Sequence, residues 1–199
     1  MATGEVEPLA YISDEPGALE IAADAGIDTL GEYVAAMKDD PMAFLNGNDP
    51  QGGNSFVFAN VIPKGLGIDM MKLPYPGHGP TVTALLTGEV QTATLPVPPV
   101  LEHARAGTVK ILGIAAEQRH PQLPDVPTFR EQGHDVVVGD FVMIVGPKGM
   151  PDEVKAKLSE GILAAARSEG FAAAAAGNGM VLRPGGAPGR LRVPRAPPG

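Results

Sequence analysis

The chain has 199 residues, enough for one domain or two small lobes with a buried core, and 44% of it is hydrophobic, as in a globular protein. A net charge of -8 leaves no basic stripe to neutralise phosphates, so nucleic acid is excluded as a partner. The absence of cysteine excludes a disulfide framework, a thiolate nucleophile and a cysteine zinc site.

Residues 1–7 are acidic and lack the basic and apolar regions of a secretory leader, and no apolar run reaches membrane-spanning length. Residues 5–13 alternate as a strand does, the stretch Asp14-Glu15-Pro16-Gly17 reads as a turn, and residues 18–22 form a second short strand. Thr29 and Glu32 have the spacing of a capping box at a helix start. Leu30, Val34 and Met37 then share one helical face, and Asp39-Asp40-Pro41 ends the helix. Residues 43–45 read as a short buried strand. The polar loop 46–55 follows, rich in residues that permit positive φ or cap a helix, and it feeds an apolar helix over 56–62 that Pro63 and Gly65 should end.

An apolar strand at Met71 to Tyr75 then runs into Pro76-Gly77-His78-Gly79-Pro80-Thr81, a glycine turn opening a helix over 81–89. A strand over 90–95, a helix over 99–106 and a strand over 108–115 complete a β-α-β-α-β series. Such alternation predicts a parallel sheet with ligands beyond the carboxyl ends of its strands. Residues 117–127 hold too many prolines for regular structure. Thr128 can cap a brief helix to Gln132, and strands are expected over 136–138 and 141–145. After the turn 146–149, Pro151 opens a long helix with the apolar stripe Val154, Leu158, Ile162 and Ala165. From Arg183 on, the Arg/Pro/Gly composition predicts a disordered tail.

Five blocks in this order carry a family resemblance. They are Leu73-Pro74-Tyr75 with Gly77-His78-Gly79-Pro80, Leu85-Leu86-Thr87-Gly88-Glu89-Val90, Ala106-Gly107-Thr108-Val109-Lys110-Ile111-Leu112, Leu123-Pro124-Asp125-Val126-Pro127-Thr128 and Gly146-Pro147-Lys148-Gly149-Met150-Pro151. The set resembles the Bug-type, TctC-like substrate-binding proteins of tripartite tricarboxylate transporters. The resemblance implies an α/β fold like a type II periplasmic binding protein, with one complete α/β lobe plus part of the second and without the N-terminal part of the first lobe. On that reading, residues 1–16 are a hinge strand and 17–119 the complete ligand-binding lobe. Residues 120–182 return to the incomplete lobe, and 183–199 are the tail. Many relatives carry a histidine where this chain has Phe56, so any contact made by that imidazole is missing.

Helix starts expose N–H groups that hold a carboxylate without arginine. Gly52, Gly53, Asn54 and Ser55 form one such candidate lip, Tyr75, Gly77, His78, Gly79, Pro80 and Thr81 a second, and Leu95 lies at the next strand end. Ser55 is a candidate cap or ligand donor, and His78 a candidate carboxylate partner. The resemblance implies capture of a small organic acid, a di- or tricarboxylate or an acidic amino acid, in a periplasmic or extracytoplasmic location, with delivery to membrane permease subunits.

A small α/β enzyme acting on an anionic substrate is the alternative. None of Ser13, Ser55, Ser159 and Ser168 lies in G-x-S-x-G, and Asp24/Asp28 and Asp39-Asp40 sit at polar helix ends. His103, His120 and His134 are scattered, and the glycine turn lacks the rest of a dinucleotide or P-loop fingerprint. Neither a catalytic residue, a metal site nor a cofactor is expected.

Overall fold

A computed structural model describes residues 6–186. The chain enters on β1 (Val6–Pro16), which runs straight into β2 (Ala18–Ala22). The alternating part follows as α1 (Leu30–Asp39), β3 (Leu45–Asn48), α2 (Asn54–Leu66), β4 (Met71–Pro74), α3 (His78–Leu86) and β5 (Thr92–Ala93). A short 3-10 turn, Pro98–Val100, leads into α4 (Leu101–Arg105) and β6 (Val109–Ile114). The chain then returns through β7 (Gly139–Pro147), α5 (Asp152–Ala166), α6 (Glu169–Gly177) and β8 (Val181–Gly186). Two sheets result, ordered β4-β3-β5-β2-β6 and β7-β1-β8.

The larger sheet is mixed, which corrects the all-parallel expectation. β3 runs parallel to β4 and β5, while β2 lies antiparallel to both β5 and β6. β2 is the continuation of β1, so it enters the sheet from the opposite end and takes the slot between β5 and β6. Every residue of β2 is buried, as befits a central strand. The expected turn at 14–17 is absent for the same reason. Glu15 and Pro16 pair with Asp140 and Gly139 of β7, and the Gly17 N–H donates to Val138 O at 2.9 Å. Pro16 fits at the end of the strand, where its missing donor breaks no interior ladder.

Cores lie on both faces of this sheet. Ala18, Val82, Leu85, Leu95, Leu101 and Ile114 pack beneath α3 and α4. Leu19, Ile21, Tyr33, Phe58, Ile62 and Phe129 pack beneath α1 and α2. The capping box at α1 forms as expected, with the Glu32 N–H on Thr29 Oγ1 at 3.2 Å and the Thr29 N–H on Glu32 Oε2 at 2.9 Å. β3 sits later than expected and takes Asn46, Gly47 and Asn48 from the loop. Asn46 tolerates a central strand because Thr94 Oγ1 accepts from its Nδ2 at 3.2 Å and its Oδ1 accepts from Thr92 at 3.3 Å.

α2 also runs past its expected end, through buried Pro63 and on to Leu66, until Gly67 closes it at φ 68°. Gly65 is required by packing: a Cβ there would lie 2.2 Å from Val136 Cγ2. Gly65→Ala is therefore expected to destabilise the fold by about 1–3 kcal/mol through overpacking, despite the better helix propensity of alanine. Urea denaturation checks this; a variant as stable as the parent contradicts the contact.

Around β7 the expected elements shift again. Residues 136–138 do not form a strand, although the Val138 N–H donates to Ala115 O at 3.1 Å. Thr128 and Glu131 make a reciprocal side-chain pair at 2.8 and 3.1 Å, but Gly133 stops the chain at a turn and no helix forms. α5 packs on β1, with Ile162 against Ala10 and Ile12, and Ala166 is the buried residue in place of Ala165. Val154 and Leu158, members of the expected stripe, are exposed. Arg183 to Gly186, expected to be disordered, complete β8, where Gly185 pairs with Tyr11 and Arg183 Nε lies 2.6 Å from Asp14 Oδ2. The rest of the expected tail, 187–199, lies outside the described residues.

Candidate functional site

The β3 to α2 loop closes on itself. The Asp49 N–H donates to Ser55 Oγ at 2.6 Å, and the Ser55 N–H donates back to Asp49 Oδ2 at 3.1 Å. Gly52 turns the loop at φ 98°, and Gly53 lets Asp49 fold over the helix start, since a Cβ on Gly53 would lie 2.4 Å from Asp49 Cβ. The start of α2 thus already holds a carboxylate, that of Asp49. Ser55 is fully buried in this ring, with its hydroxyl engaged by Asp49, whereas Asn54 is exposed at its rim.

The β4 to α3 loop is tied to it, because the Tyr75 N–H donates to Asn48 O at 2.8 Å. Tyr75 packs against the core, and burial together with the Glu89 carboxylate pushes its phenol up to about 12. Its hydroxyl is buried, so the ring supports the loop from inside. Gly77 opens α3 at φ 106°. Buried Thr81 donates from Oγ1 to Gly77 O at 3.0 Å and so holds that turn. His78, Gly79 and Pro80 form the outer first turn. The His78 and Gly79 N–H groups have no partner within the helix, as for any first turn, and Pro80 has none to offer.

His78 Nε2 lies 3.4 Å from Asp49 Oδ2, so the two loops meet at these side chains. Two further carboxyls approach from the crossover strands. Glu15 and Asp140 pair across β1 and β7. Burial raises both pKa values. For Glu15 the Asp140 charge adds to this, and for Asp140 the Asn54 side chain counters it. His78 lowers both. The expected list omitted Asp49, Glu15 and Asp140. Leu95, by contrast, does not belong to the site: it is fully buried, its N–H donates to Glu20 Oε2 at 3.0 Å and its carbonyl accepts from Ala18 at 2.8 Å.

A cavity of about 410 Å³ lies along the crossover next to this convergence and shares Asp140 with it; Tyr11, Asp14, Arg119, Phe141 and Arg183 also line it. Most of its polar groups are already engaged. Tyr11 donates to Asp14, Asp14 pairs with Arg183, and Arg119 pairs with Glu131 at 2.9 Å. The convergence of loops at His78 is therefore the better candidate. Among the described residues, no helix is long and apolar enough to cross a membrane.

Residues 2–184 match the family described as Tripartite tricarboxylate transporter family receptor. Protein BugT of Bordetella pertussis is 27% identical over 165 residues, which cover 82% of this chain and 51% of BugT. The chain thus spans about half the length of that relative. Among solved structures, the periplasmic binding protein BugD superposes with a TM-score of 0.80 at 24% identity, over 89% of this chain and 60% of BugD. MatC from Rhodopseudomonas palustris, solved with bound malate, gives 0.78 at 25% identity, over 89% of this chain and 60% of MatC. The α/β fold is that of these binding proteins, present here in part. Over nearly its whole length the chain belongs to the tripartite tricarboxylate transporter receptor family, the TctC or Bug type of solute-binding protein.

Proposed function

We propose that this chain carries the ligand-binding lobe of an extracytoplasmic receptor, residues 17–119, which captures a small organic carboxylate for a membrane permease. The single observation behind this reading is the first turn of α3. There Gly77 presents the His78 and Gly79 N–H groups beside the His78 imidazole, at a helix end that favours an anion. The α2 start is a weaker candidate because Asp49 already occupies it. The malate in MatC is consistent with a carboxylate ligand.

Titration calorimetry with di- and tricarboxylates and acidic amino acids tests the proposal. Saturable binding, with the acid recovered unchanged, is expected. His78→Ala is expected to weaken binding by about tenfold, or ~1.4 kcal/mol. Gly79→Ala should also weaken it without lowering the melting temperature, because a Cβ there meets nothing within 4 Å and alanine is the better helix former. Parent and both variants binding equally would move the site elsewhere.

A further inference from the structure

The chain passes between its two sheets twice, from Pro16 to Gly17 and from Val138 to Gly139. The passages lie side by side, because Pro16 pairs with Gly139 and the Gly17 N–H donates to Val138 O at 2.9 Å. Adjacent strand ends of this kind serve as a hinge, and contacts off its axis fix the angle. His120 supplies such a contact. The cavity of about 410 Å³ is lined by Pro16 and Gly139 at the hinge and also by His120, so the imidazole acts at a distance from the axis.

His120 is mounted rigidly on the side of the five-stranded sheet. Its carbonyl accepts the Leu123 N–H at 2.9 Å, Leu123 and Val126 pack against the core beneath α3 and α4, and the neighbouring Arg119 donates to Pro124 O at 2.8 Å. The buried ring accepts the Gln122 N–H on Nδ1 at 3.3 Å, and its Nε2 lies 3.0 Å from Gly179 O. Because a carbonyl only accepts, Nε2 carries the proton. Gly179 belongs to the other side of the hinge, in the turn from α6 to β8. It takes φ 78°, and a Cβ there would lie 3.0 Å from Leu101 Cδ2 and 3.3 Å from Pro98 Cα, so glycine is what admits this close approach.

We propose that His120 is the latch of this hinge: its Nε2–H, donated to Gly179 O, fixes the angle at which the three-stranded sheet, with α5 and α6, stands against the five-stranded sheet. Burial shields the contact from water that would compete for both groups. The angle bears on the candidate site, because Glu15 and Asp140, at the hinge ends of β1 and β7, approach His78 from that side. His120 is thus a positioning residue. The latch joins two residues of this chain directly, so it holds whether or not the turn at His78 binds a carboxylate.

The chain has no cysteine, so a pair of introduced thiols takes nitroxide labels selectively. Labels at Lys38→Cys on α1 and Lys157→Cys on α5, both exposed, span the hinge, whereas labels at Lys38→Cys and Lys64→Cys on α2 stay on one side of it. Double electron–electron resonance across the hinge should give a single narrow distance distribution for the parent. His120→Ala should widen it by about twofold or more and leave the distribution on the one side unchanged. His120→Gln should restore the parent width, because its amide nitrogen can donate to Gly179 O in place of the imidazole nitrogen. A residue that serves stability alone would lower the melting temperature and leave both distributions as they are. Imidazole nitrogen resonances of the unsubstituted chain give a second measurement: His120 should be the Nε2–H tautomer, with its ring proton protected from exchange. A broad parent distribution, an unchanged width for the Ala variant, widening on the one side as well, a Gln variant as broad as Ala, or an Nδ1–H tautomer each overturns the proposal.

Discussion

Replacing Glu20 with Gln is expected to raise stability at pH 8, to change it little at pH 4, and to make the difference grow steadily between. Glu20 sits in the middle of β2, fully buried between β5 and β6. Its Oε2 accepts the Leu95 N–H, and its Oε1 has no partner among the described residues. Burial drives its pKa well above the ordinary 4.5, and the Leu95 hydrogen bond offsets only part of that. A carboxyl whose folded pKa is raised contributes fully below its unfolded pKa. Its contribution falls as pH climbs towards the folded pKa, by ~1.4 kcal/mol per unit. Gln keeps the acceptor and the shape without the charge, and at pH 4 its amide nitrogen takes the position where the protonated carboxyl is also unpartnered, so the two nearly match there.

His120 supplies the opposite slope. Its buried imidazole, in the neutral form, donates from Nε2 to Gly179 O at 3.0 Å and accepts the Gln122 N–H on Nδ1 at 3.3 Å. Burial lowers its pKa below 6.5, with the Arg105 charge acting the same way against the Gly179 contact. Stability from this group is therefore present above pH 6.5 and lost as pH falls through the folded pKa. The Gln variant at position 20 should keep this acid-side decline while losing the alkaline one. Urea denaturation across pH 4–8 measures both limbs, and a shift of equal size at pH 4 and pH 8 contradicts the assignment to Glu20.

Local rules carried the sequence reading where local chemistry decides the structure. Thr29 with Glu32 set the start of α1, because a cap depends on a few adjacent residues, and the glycine turn at Gly77 was legible too, but the helix expected over 81–89 is α3, which starts at His78 and ends at Leu86. Reading failed where distant pairing outweighed propensity. Asp14 to Gly17 has the composition of a turn but lies along β7, and Asn46-Gly47-Asn48 has that of a loop but lies between β4 and β5. Pro63 and Gly65 resemble a helix end, yet Val136 packs over Gly65 and the helix continues. The candidate site divides in the same way. Its glycine turns were legible, whereas Asp49 was not, since its role needs Ser55 and Gly53 folded back on it. Glu15 and Asp140 meet only through strands far apart in the chain.

Asp49→Ala is expected to cost about 1–3 kcal/mol, because the buried Ser55 N–H at the start of α2 is left without an acceptor. Asp49→Asn keeps an acceptor for that N–H and should cost less than about 1 kcal/mol, so the two variants separate the hydrogen bond from the charge. Both changes remove the carboxylate 3.4 Å from His78 and should alter binding at α3, even where Asn preserves the fold. In the Ala variant the start of α2 is also vacated. Acetate in the buffer should then recover part of the lost melting temperature for Asp49→Ala and none for the parent, because binding to the native state alone raises stability by mass action. Equal losses for Ala and Asn, or acetate acting equally on parent and variant, would show that the ring between Asp49 and Ser55 does not hold the loop.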